Sequence, residues 1–201
     1  MLRHTICLLG FAILLLETTA QYNWKQEKNQ NGIKVFSSEV ANADYKAVKV
    51  ECTLNGSYSK LISILCNVAH NNEWVYNSKY NTVLKKNTWQ DFIYYTETNF
   101  PWPMNNRDVV IHLRVLTDSL PKFLIVTGTG EPNYVPAMGN KVRVPHYYAN
   151  WKVTMPTPQT LKINYVLEAD PGGSIPSWLA NIFIDKGPYE TFKKLSEMLV
   201  K

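Results

Sequence analysis

The sequence lacks the residue patterns that most catalytic and metal sites require. It has three cysteines (Cys7, Cys52 and Cys66) but no Cys-x-x-Cys pair and no Cys/His ligand spacing, which disfavours a structural zinc site. There is no Gly-x-Ser-x-Gly motif, and no two of the four histidines stand at helical ligand spacing. We therefore expect no enzyme activity, no catalytic residue, no metal and no cofactor.

Long runs of one charge are absent as well. Lys and Arg number 21 against 16 Asp and Glu, which gives a net charge of +5, and the lysines come singly or in pairs such as Lys85-Lys86. A basic stripe for nucleic acid is therefore weakly supported, and no nucleic-acid partner is expected. Solubility explains the dispersed positive charge, with a mild attraction to anionic membrane surfaces as the second interpretation.

The chain also has no apolar run long enough to span a bilayer comfortably. The one at its start covers residues 6–16, follows the basic residues 3–4 and ends in the small residues 18–20. This pattern is typical of a secretory signal peptide, with a membrane anchor as the alternative. We predict that residues 1–20 are cleaved and that residues 21–201 form one exported domain, either periplasmic or secreted.

Alternating apolar and polar residues predict that strands dominate this domain. The predicted strands are 32–36, 45–53, 83–87, 91–98, 109–117, 123–128, 148–155 and 161–168. They are bounded by Asn, Asp, Pro or Gly and lie close together in sequence, so antiparallel hairpins are the natural connection. We expect one antiparallel sheet of six to eight strands.

Two helices accompany the strands. A first apolar stripe over residues 61–69 follows the candidate N-caps Ser57 and Ser59. A long C-terminal helix follows the break at 170–174, with a kink or restart expected at Gly187-Pro188. The fold class is α+β, a curved antiparallel β-sheet gripping a long C-terminal α-helix. Where side chains do not fill its interior, an apolar cavity is expected.

The predicted strands also leave the two cysteines of the mature domain open to two interpretations. Cys52 ends an apolar strand and Cys66 lies on the first helix. In an exported chain, these residues either pair in a disulfide or remain buried thiols.

The segment from Phe100 to Val115 is the most informative part of the chain. Pro101 and Pro103 predict a rigid extended connection or a kink, after which Arg107-Asp108 opens a strand. We interpret the Arg-Asp pair as structural, with Arg107 tying the proline-rich connection to neighbouring carboxylates or carbonyls. One face of the strand is wholly apolar and must meet either a packed core or an apolar ligand: Val109, Ile111, Leu113 and Val115.

Three segments together resemble the lipid-transfer domain called START, which has the helix-grip fold shared with the birch-pollen allergen group. The first contains Trp74, just after the first helix. The second runs from Pro101-Trp102-Pro103 to Arg107-Asp108-Val109-Val110. The third runs from Asn150-Trp151-Lys152-Val153 to the Gly172-Gly173 entry into the closing helix.

This resemblance implies that one apolar molecule binds inside a cavity and that motion of the closing helix or a nearby loop releases it. Some family members hold an acid–Arg pair in the pocket. The corresponding positions here are Tyr94 and Leu113, so the chain lacks that pair. The resemblance therefore implies a more apolar pocket, with the hydroxyl of Tyr94 available to a polar head.

We accordingly predict ligand-binding walls on the central strands and the closing helix. The predicted wall residues are Tyr94, Thr96, Val109, Ile111, Leu113, Trp151, Ile182 and Phe183. Trp102 and Trp178 lie beside prolines at element boundaries, where core or corner packing is the default role and a cavity mouth or membrane interface is the alternative.

The predicted function is an exported lipid-binding or lipid-transfer protein. It would be a monomer that holds one sterol, fatty acid or phospholipid and makes transient membrane contact. A cyclase, aromatase or hydrolase of an apolar substrate is the enzymatic alternative, because the same fold includes such enzymes. A protein-interaction domain with a filled interior is the third.

Overall fold

The computed structural model describes residues 22–201, and the predicted signal peptide lies outside the described residues. Ten strands form one sheet. They are β1 (Lys25–Gln30), β2 (Ile33–Glu39), β3 (Lys46–Asn55), β4 (Ser78–Lys86), β5 (Asp91–Thr98), β6 (Arg107–Leu116), β7 (Leu124–Gly130), β8 (Val142–Arg143), β9 (His146–Thr157) and β10 (Thr160–Asp170).

The strands run in the order β1-β2-β3-β10-β9-β7-β6-β5-β4 with antiparallel pairing, and the short β8 pairs parallel with β6. This order places the last strands of the chain in the middle of the sheet and leaves β1 and β4 at its edges. The curved antiparallel sheet with a C-terminal helix confirms the predicted α+β helix-grip fold.

Two strands are additional to the eight that the sequence predicts. β1 is an edge strand of polar residues, all of them exposed or half-buried, so it lacks the apolar alternation that marks a half-buried strand. β8 is only two residues long, and its pairing depends on where the 131–145 loop folds back on β6.

The helical parts lie on one side of the sheet. They are α1 (Tyr58–Cys66), a 3₁₀ helix (Val68–Glu73), α2 (Ser177–Asn181), a π-helical turn (Ile182–Lys186) and α3 (Gly187–Leu199). The hydroxyl of Ser57 accepts the N–H of Lys60, so Ser57 is the N-cap of α1. We call residues 177–199 the closing segment. Its π-helical turn ends directly before Gly187-Pro188, where the sequence predicts a kink or restart.

The main core lies between the inner face of the sheet and these helices. The apolar face of β6, from Val109 to Val115, points into it, together with Leu61 of α1 and Phe192 and Leu195 of α3. A smaller cluster on the outer face contains Ile93, Tyr95 and Val110. Cys52 is buried and Cys66 is half-buried, and both are free thiols. Within residues 22–201, no helix is both long and apolar enough to cross a membrane.

Candidate ligand-binding site

The inner face of the sheet is packed unevenly from one end to the other. At the end near α1, side chains such as Val153, Leu161 and Ile163 are almost completely buried. Toward α2 and the loop of residues 99–106, the inward residues of β10 are only half-buried; these are Tyr165, Leu167 and Ala169. Their remaining accessible surface indicates that side chains fill the interior less completely at this end.

Three tyrosines from three strands lie in this less filled part: Tyr94 on β5, Tyr147 on β9 and Tyr165 on β10. Burial raises the pKa of Tyr147 to about 12, although interaction with the Tyr165 hydroxyl lowers it in part. Burial and the neighbouring Tyr147 raise the pKa of Tyr94 and Tyr165 well above the usual value of 10.0. The strand register places the three side chains on one stretch of the inner face. Tyr94 pairs with Ile111, Ile111 and the Tyr147 ring both flank Gly128, and Tyr165 pairs with Trp151 on the strand of Tyr147. We call these three residues the tyrosine cluster.

Small residues at the centre of the sheet make room for the Tyr147 ring. Gly128 on β7 lies opposite Ala149 on β9. A Cβ atom at Gly128 would lie 3.2 Å from Ile111 Cγ2 and 3.4 Å from Tyr147 Cε1. The ring of Tyr147 therefore packs over Gly128 at van der Waals distance, and a larger residue at position 128 would displace the ring.

An aromatic contact joins two strands to the closing segment beside this cluster. The ring centroids of Trp151 and Tyr165 are 4.6 Å apart, and both rings contact Phe192 of α3, at 5.2 and 5.4 Å. Such contacts stabilise by about 0.5–1.5 kcal/mol each beyond the burial of their area. The three rings fix the position of α3 against β9 and β10.

The structure brings most of the predicted wall residues together. Five belong to the main core cluster: Tyr94, Val109, Ile111, Leu113 and Trp151. Thr96 also points inward, opposite Val109, and its hydroxyl donates a hydrogen bond to Asn81 Oδ1 at 2.7 Å.

Ile182 and Phe183 lie in the π-helical turn and are half-buried. Phe183 stacks on Phe100 of the 99–106 loop, with ring centroids 4.6 Å apart, so it is placed at the rim of the inner face. Ile184 of the same turn packs against the main core. The π-helical geometry changes which residue faces inward, and a regular helical periodicity does not anticipate that change.

Tyr147, Tyr165 and Phe192 are not among the wall residues that the sequence predicts. Their signal was present in the alternation that identified Trp151, because Tyr147 lies four residues before it on the same strand face. Tyr165 pairs directly with Trp151 across the β9–β10 ladder. That pairing depends on the strand register, which the sequence pattern does not specify.

Arg107 holds the rim together at the start of β6. Its guanidinium donates hydrogen bonds to the carbonyl oxygens of Asn105, Pro171 and Gly172 at 2.6, 3.1 and 3.1 Å, and lies over the Phe100 ring. Arg107 therefore ties the proline-rich loop to the turn before α2, as the structural interpretation of the sequence expected.

On the outer face, Asp108 receives a bidentate ion pair from Arg143, with N–O distances of 2.9 and 3.0 Å. Arg143 also donates hydrogen bonds to the carbonyl oxygens of Pro132 and Val135. The pair fastens the 131–145 loop to β6, which is a structural role.

Polar contacts hold the closing segment from both sides. On one side, Asp185 forms an ion pair with Lys28 at 3.3 Å, and Asn31 Nδ2 donates a hydrogen bond to the Tyr189 hydroxyl at 2.9 Å. On the other, the N–H of Tyr76 donates to Thr191 Oγ1 at 3.0 Å. These contacts lie on the π-helical turn and α3.

Two tryptophans are exposed where the 99–106 loop meets the closing segment. Trp102 is 91% exposed and Trp178 is 54% exposed. The Phe100–Phe183 contact brings their two segments together, so both indoles lie at the less filled end of the sheet. Of the default prediction of core or corner packing, the core position is therefore wrong for both indoles.

Among the described side chains, no acid–base pair converges on the inner face. His112 pairs with Asp91 on the outer face at 2.9 Å, and His146 stacks on Tyr45. Along β5, β6, β7, β9 and β10 of the described chain, Arg107 is the one charged residue at an inward position. Among residues 22–201, no group of three or more His, Cys, Asp or Glu side chains is placed to hold a metal ion.

Comparison with known proteins gives a consistent result. The sequence model of the START domain matches residues 12–201. An uncharacterized protein of Pseudomonas aeruginosa is 31% identical over 174 residues, which cover 86% of this chain and 85% of that protein. The bovine phosphatidylcholine transfer protein is 24% identical over 79% of this chain and 75% of its own length.

Solved structures share the fold. The STAR-related lipid transfer protein from Xanthomonas axonopodis superposes with a TM-score of 0.79 at 28% identity and covers 89% of this chain and 99% of its own. An aromatase/cyclase from a Streptomyces species superposes with a TM-score of 0.51 at 7% identity, over 77% of this chain and 90% of its own, which shows a shared fold alone.

Proposed function

Because the chain belongs to the START domain family, we propose that it binds one lipid molecule between the sheet and the closing segment and transfers it between membranes. The observation that carries this proposal is that the inward side chains of Tyr147, Tyr165 and Leu167 are only half-buried, although they lie on the core side of the sheet. In a core at native packing density, these inward side chains would be fully buried. An apolar ligand would cover the surface that they leave accessible.

The related proteins support the same activity. The family relatives from cattle and Xanthomonas are lipid-transfer proteins by name. Burial of an acyl chain contributes roughly 0.8 kcal/mol per methylene, so a short contact with apolar walls gives useful affinity. A sterol, a fatty acid or a phospholipid each has enough apolar surface for such a site.

The proposed activity involves no catalysis. An enzyme acting on a bound apolar substrate would need titratable groups that converge on it. Arg107, the charged residue at an inward position of the central strands, is instead engaged by three backbone carbonyls. The likeness to an aromatase/cyclase at 7% identity concerns the fold alone and adds no site residue.

We further propose that the protein is an exported monomer that touches membranes with its less filled end. The apolar run before Gln21 supports export. The exposed indoles of Trp102 and Trp178 flank the expected entrance, and amphipathic rings of this kind favour the membrane–water interface. A lipid could then move directly between the bilayer and the site.

Native mass spectrometry of gently purified protein tests the binding proposal. We expect a monomer carrying one noncovalent lipid-sized adduct, which solvent extraction removes and incubation with lipid vesicles restores. A protein that carries no lipid, and takes up neither a sterol nor a fatty acid nor a phospholipid, would contradict the proposal. The intact mass of the exported form separately tests cleavage after Ala20.

A further inference from the structure

The tyrosine cluster is a polar group in an otherwise apolar interior. Tyr94, Tyr147 and Tyr165 approach from three strands, and Ile111, Gly128 and the Trp151 ring surround them. Each hydroxyl has one proton to donate and lone pairs to accept with. Each hydroxyl can therefore donate a hydrogen bond to a ligand oxygen or accept one from a ligand hydroxyl.

Within the described chain, the five central strands place no matching charge beside this polar group. The inward positions of the five central strands carry one ionised side chain, Arg107. Its guanidinium lies at the rim and donates to three carbonyl oxygens. A carboxylate or phosphate beside the tyrosines would therefore be buried without a counter-ion, which costs several kcal/mol. The raised pKa values of the tyrosines report the same penalty on negative charge.

A cationic head is disfavoured for the complementary reason. On the described strands, Asp and Glu residues near this end lie on the outer face, as Glu97 and Asp108 do with their own cationic partners. The rings of Trp151 and Tyr165 pack against each other and against Phe192, so they do not form an open cage around a cation.

We infer that the hydroxyls of Tyr94, Tyr147 and Tyr165 bind the buried end of the lipid, and that this end is uncharged and carries a hydroxyl or carbonyl oxygen. This inference rests on the proposed lipid-binding function and names the class of ligand. The ligand oxygen completes the hydrogen bonding of the cluster, and the hydrocarbon lies along β6 and the closing segment. Removal of a hydroxyl then weakens the recognition of the polar end but leaves the apolar walls intact.

A matched set of 14-carbon ligands tests the inference on the mature protein. Binding of the hydrocarbon dye diphenylhexatriene is measured first, and its displacement by 1-tetradecanol, tetradecane and myristate is compared at pH 8, where myristate is ionised. We expect 1-tetradecanol to displace the dye at least about tenfold more effectively than either other ligand. The preference over tetradecane measures the hydrogen bonds, and the preference over myristate measures the exclusion of charge.

Three conservative variants locate the preference. Tyr94→Phe, Tyr147→Phe and Tyr165→Phe keep each ring and remove one hydroxyl. We expect each to reduce the preference for tetradecanol over tetradecane to about threefold or less. The preference is a ratio of two displacements in the same variant, so a general change in dye affinity cancels. Tyr95→Phe is the matched control, because Tyr95 lies next to Tyr94 but points into the outer cluster, and it should retain the full preference.

The outcomes separate the inference from the function on which it rests. Three outcomes would overturn the inference while lipid binding stands. They are equal displacement of the dye by tetradecanol and myristate, uptake of phosphatidylcholine from vesicles with its head group protected from solvent, and a preference for tetradecanol that survives all three substitutions. Failure to take up the dye and every lipid would overturn both.

Discussion

The ring of Phe183 stacks on the ring of Phe100, with centroids 4.6 Å apart and an angle of 22° between the planes. The contact joins the π-helical turn of the closing segment to the 99–106 loop. The guanidinium of Arg107 lies over the Phe100 ring and donates a hydrogen bond to the Pro171 carbonyl in the turn before α2. The three parts of the rim are therefore connected, and separation of the closing segment from the 99–106 loop must break the Phe100–Phe183 contact.

Replacement of Phe183 by Ala should accelerate lipid release. Loss of an aromatic pair removes about 0.5–1.5 kcal/mol from the closed arrangement, which makes opening roughly two- to tenfold more frequent. Transfer of a fluorescent lipid from the protein to acceptor vesicles measures the rate. Phe123→Ala is a suitable control, because Phe123 contacts Lys152 outside this rim. An unchanged rate in Phe183→Ala would show that the closing segment does not gate release.

Trp102 and Trp178 should dominate attachment to membranes. We expect Trp102→Ala and Trp178→Ala each to reduce co-sedimentation with anionic vesicles by several-fold, because the substitution removes an indole that contacts the membrane–water interface. Trp89→Ala provides the matched control. Trp89 is 50% exposed but precedes β5, whereas Trp102 follows it, so the two lie beyond opposite ends of that strand. Equal loss of attachment in all three variants would contradict a membrane contact confined to the less filled end.

Gly128 should be intolerant of a larger side chain. A Cβ at 3.2 Å from Ile111 Cγ2 requires that methyl group to shift, whereas its distance of 3.4 Å from Tyr147 Cε1 is an ordinary van der Waals contact. Valine would add two further methyl groups, which the space beside the Tyr147 ring does not accommodate. We expect Gly128→Val to displace the Tyr147 ring and destabilise the fold by about 1–3 kcal/mol, a typical cost of overpacking. Urea unfolding measures the stability. Gly139→Val is the comparison, because a side chain there meets open space while φ is positive, so its cost reports backbone strain without crowding.

Arg107 should not be replaceable by lysine. A lysine ammonium cannot present the planar fork that binds the carbonyl oxygens of Asn105, Pro171 and Gly172 together. We expect Arg107→Lys to lose about 1–3 kcal/mol of stability, because buried carbonyls are left without partners. Chemical denaturation tests this, with Arg114→Lys on the exposed outer face as a control that stays near wild type.

Glu97 should make the rim sensitive to acid. Burial alone would raise the pKa of Glu97, but hydrogen bonds from Asn106 and Lys79 and the charge of Lys141 lower it below 4.5. A carboxyl with a depressed pKa stabilises the folded state above its unfolded pKa, and this contribution is lost as the pH falls through the folded value. The stability of the wild type should therefore fall below about pH 4.5.

Asn106 is the link between this carboxylate and the loop, because its Nδ2 donates to Glu97 while its Oδ1 accepts the N–H of Phe100. Glu97→Gln should be less stable than wild type at pH 7 and should lose less stability on acidification to pH 4. Urea unfolding at the two pH values distinguishes the slopes. Identical acid sensitivity in both proteins would assign the effect to other carboxylates.

The sequence by itself determined the fold class and the inward face of most strands. Val109, Ile111, Leu113 and Val115 point inward because alternation has a period of two, and burial of one sheet face leaves no other choice. Ser57 and Gly187-Pro188 marked the beginning of α1 and the break in the closing segment, because capping and proline chemistry act over a few residues. The polar edge strand β1 carried no such pattern.

Only the tertiary structure decided which inward residues meet. Tyr147, Tyr165 and Phe192 come from distant parts of the chain, and their proximity depends on the register of β9 with β10 and on the docking of α3. The π-helical turn likewise sent Phe183 to the rim and Ile184 to the core. Local periodicity gives the direction of each side chain, whereas the pairing of strands and helices determines its neighbours, and the tyrosine cluster exists through that pairing.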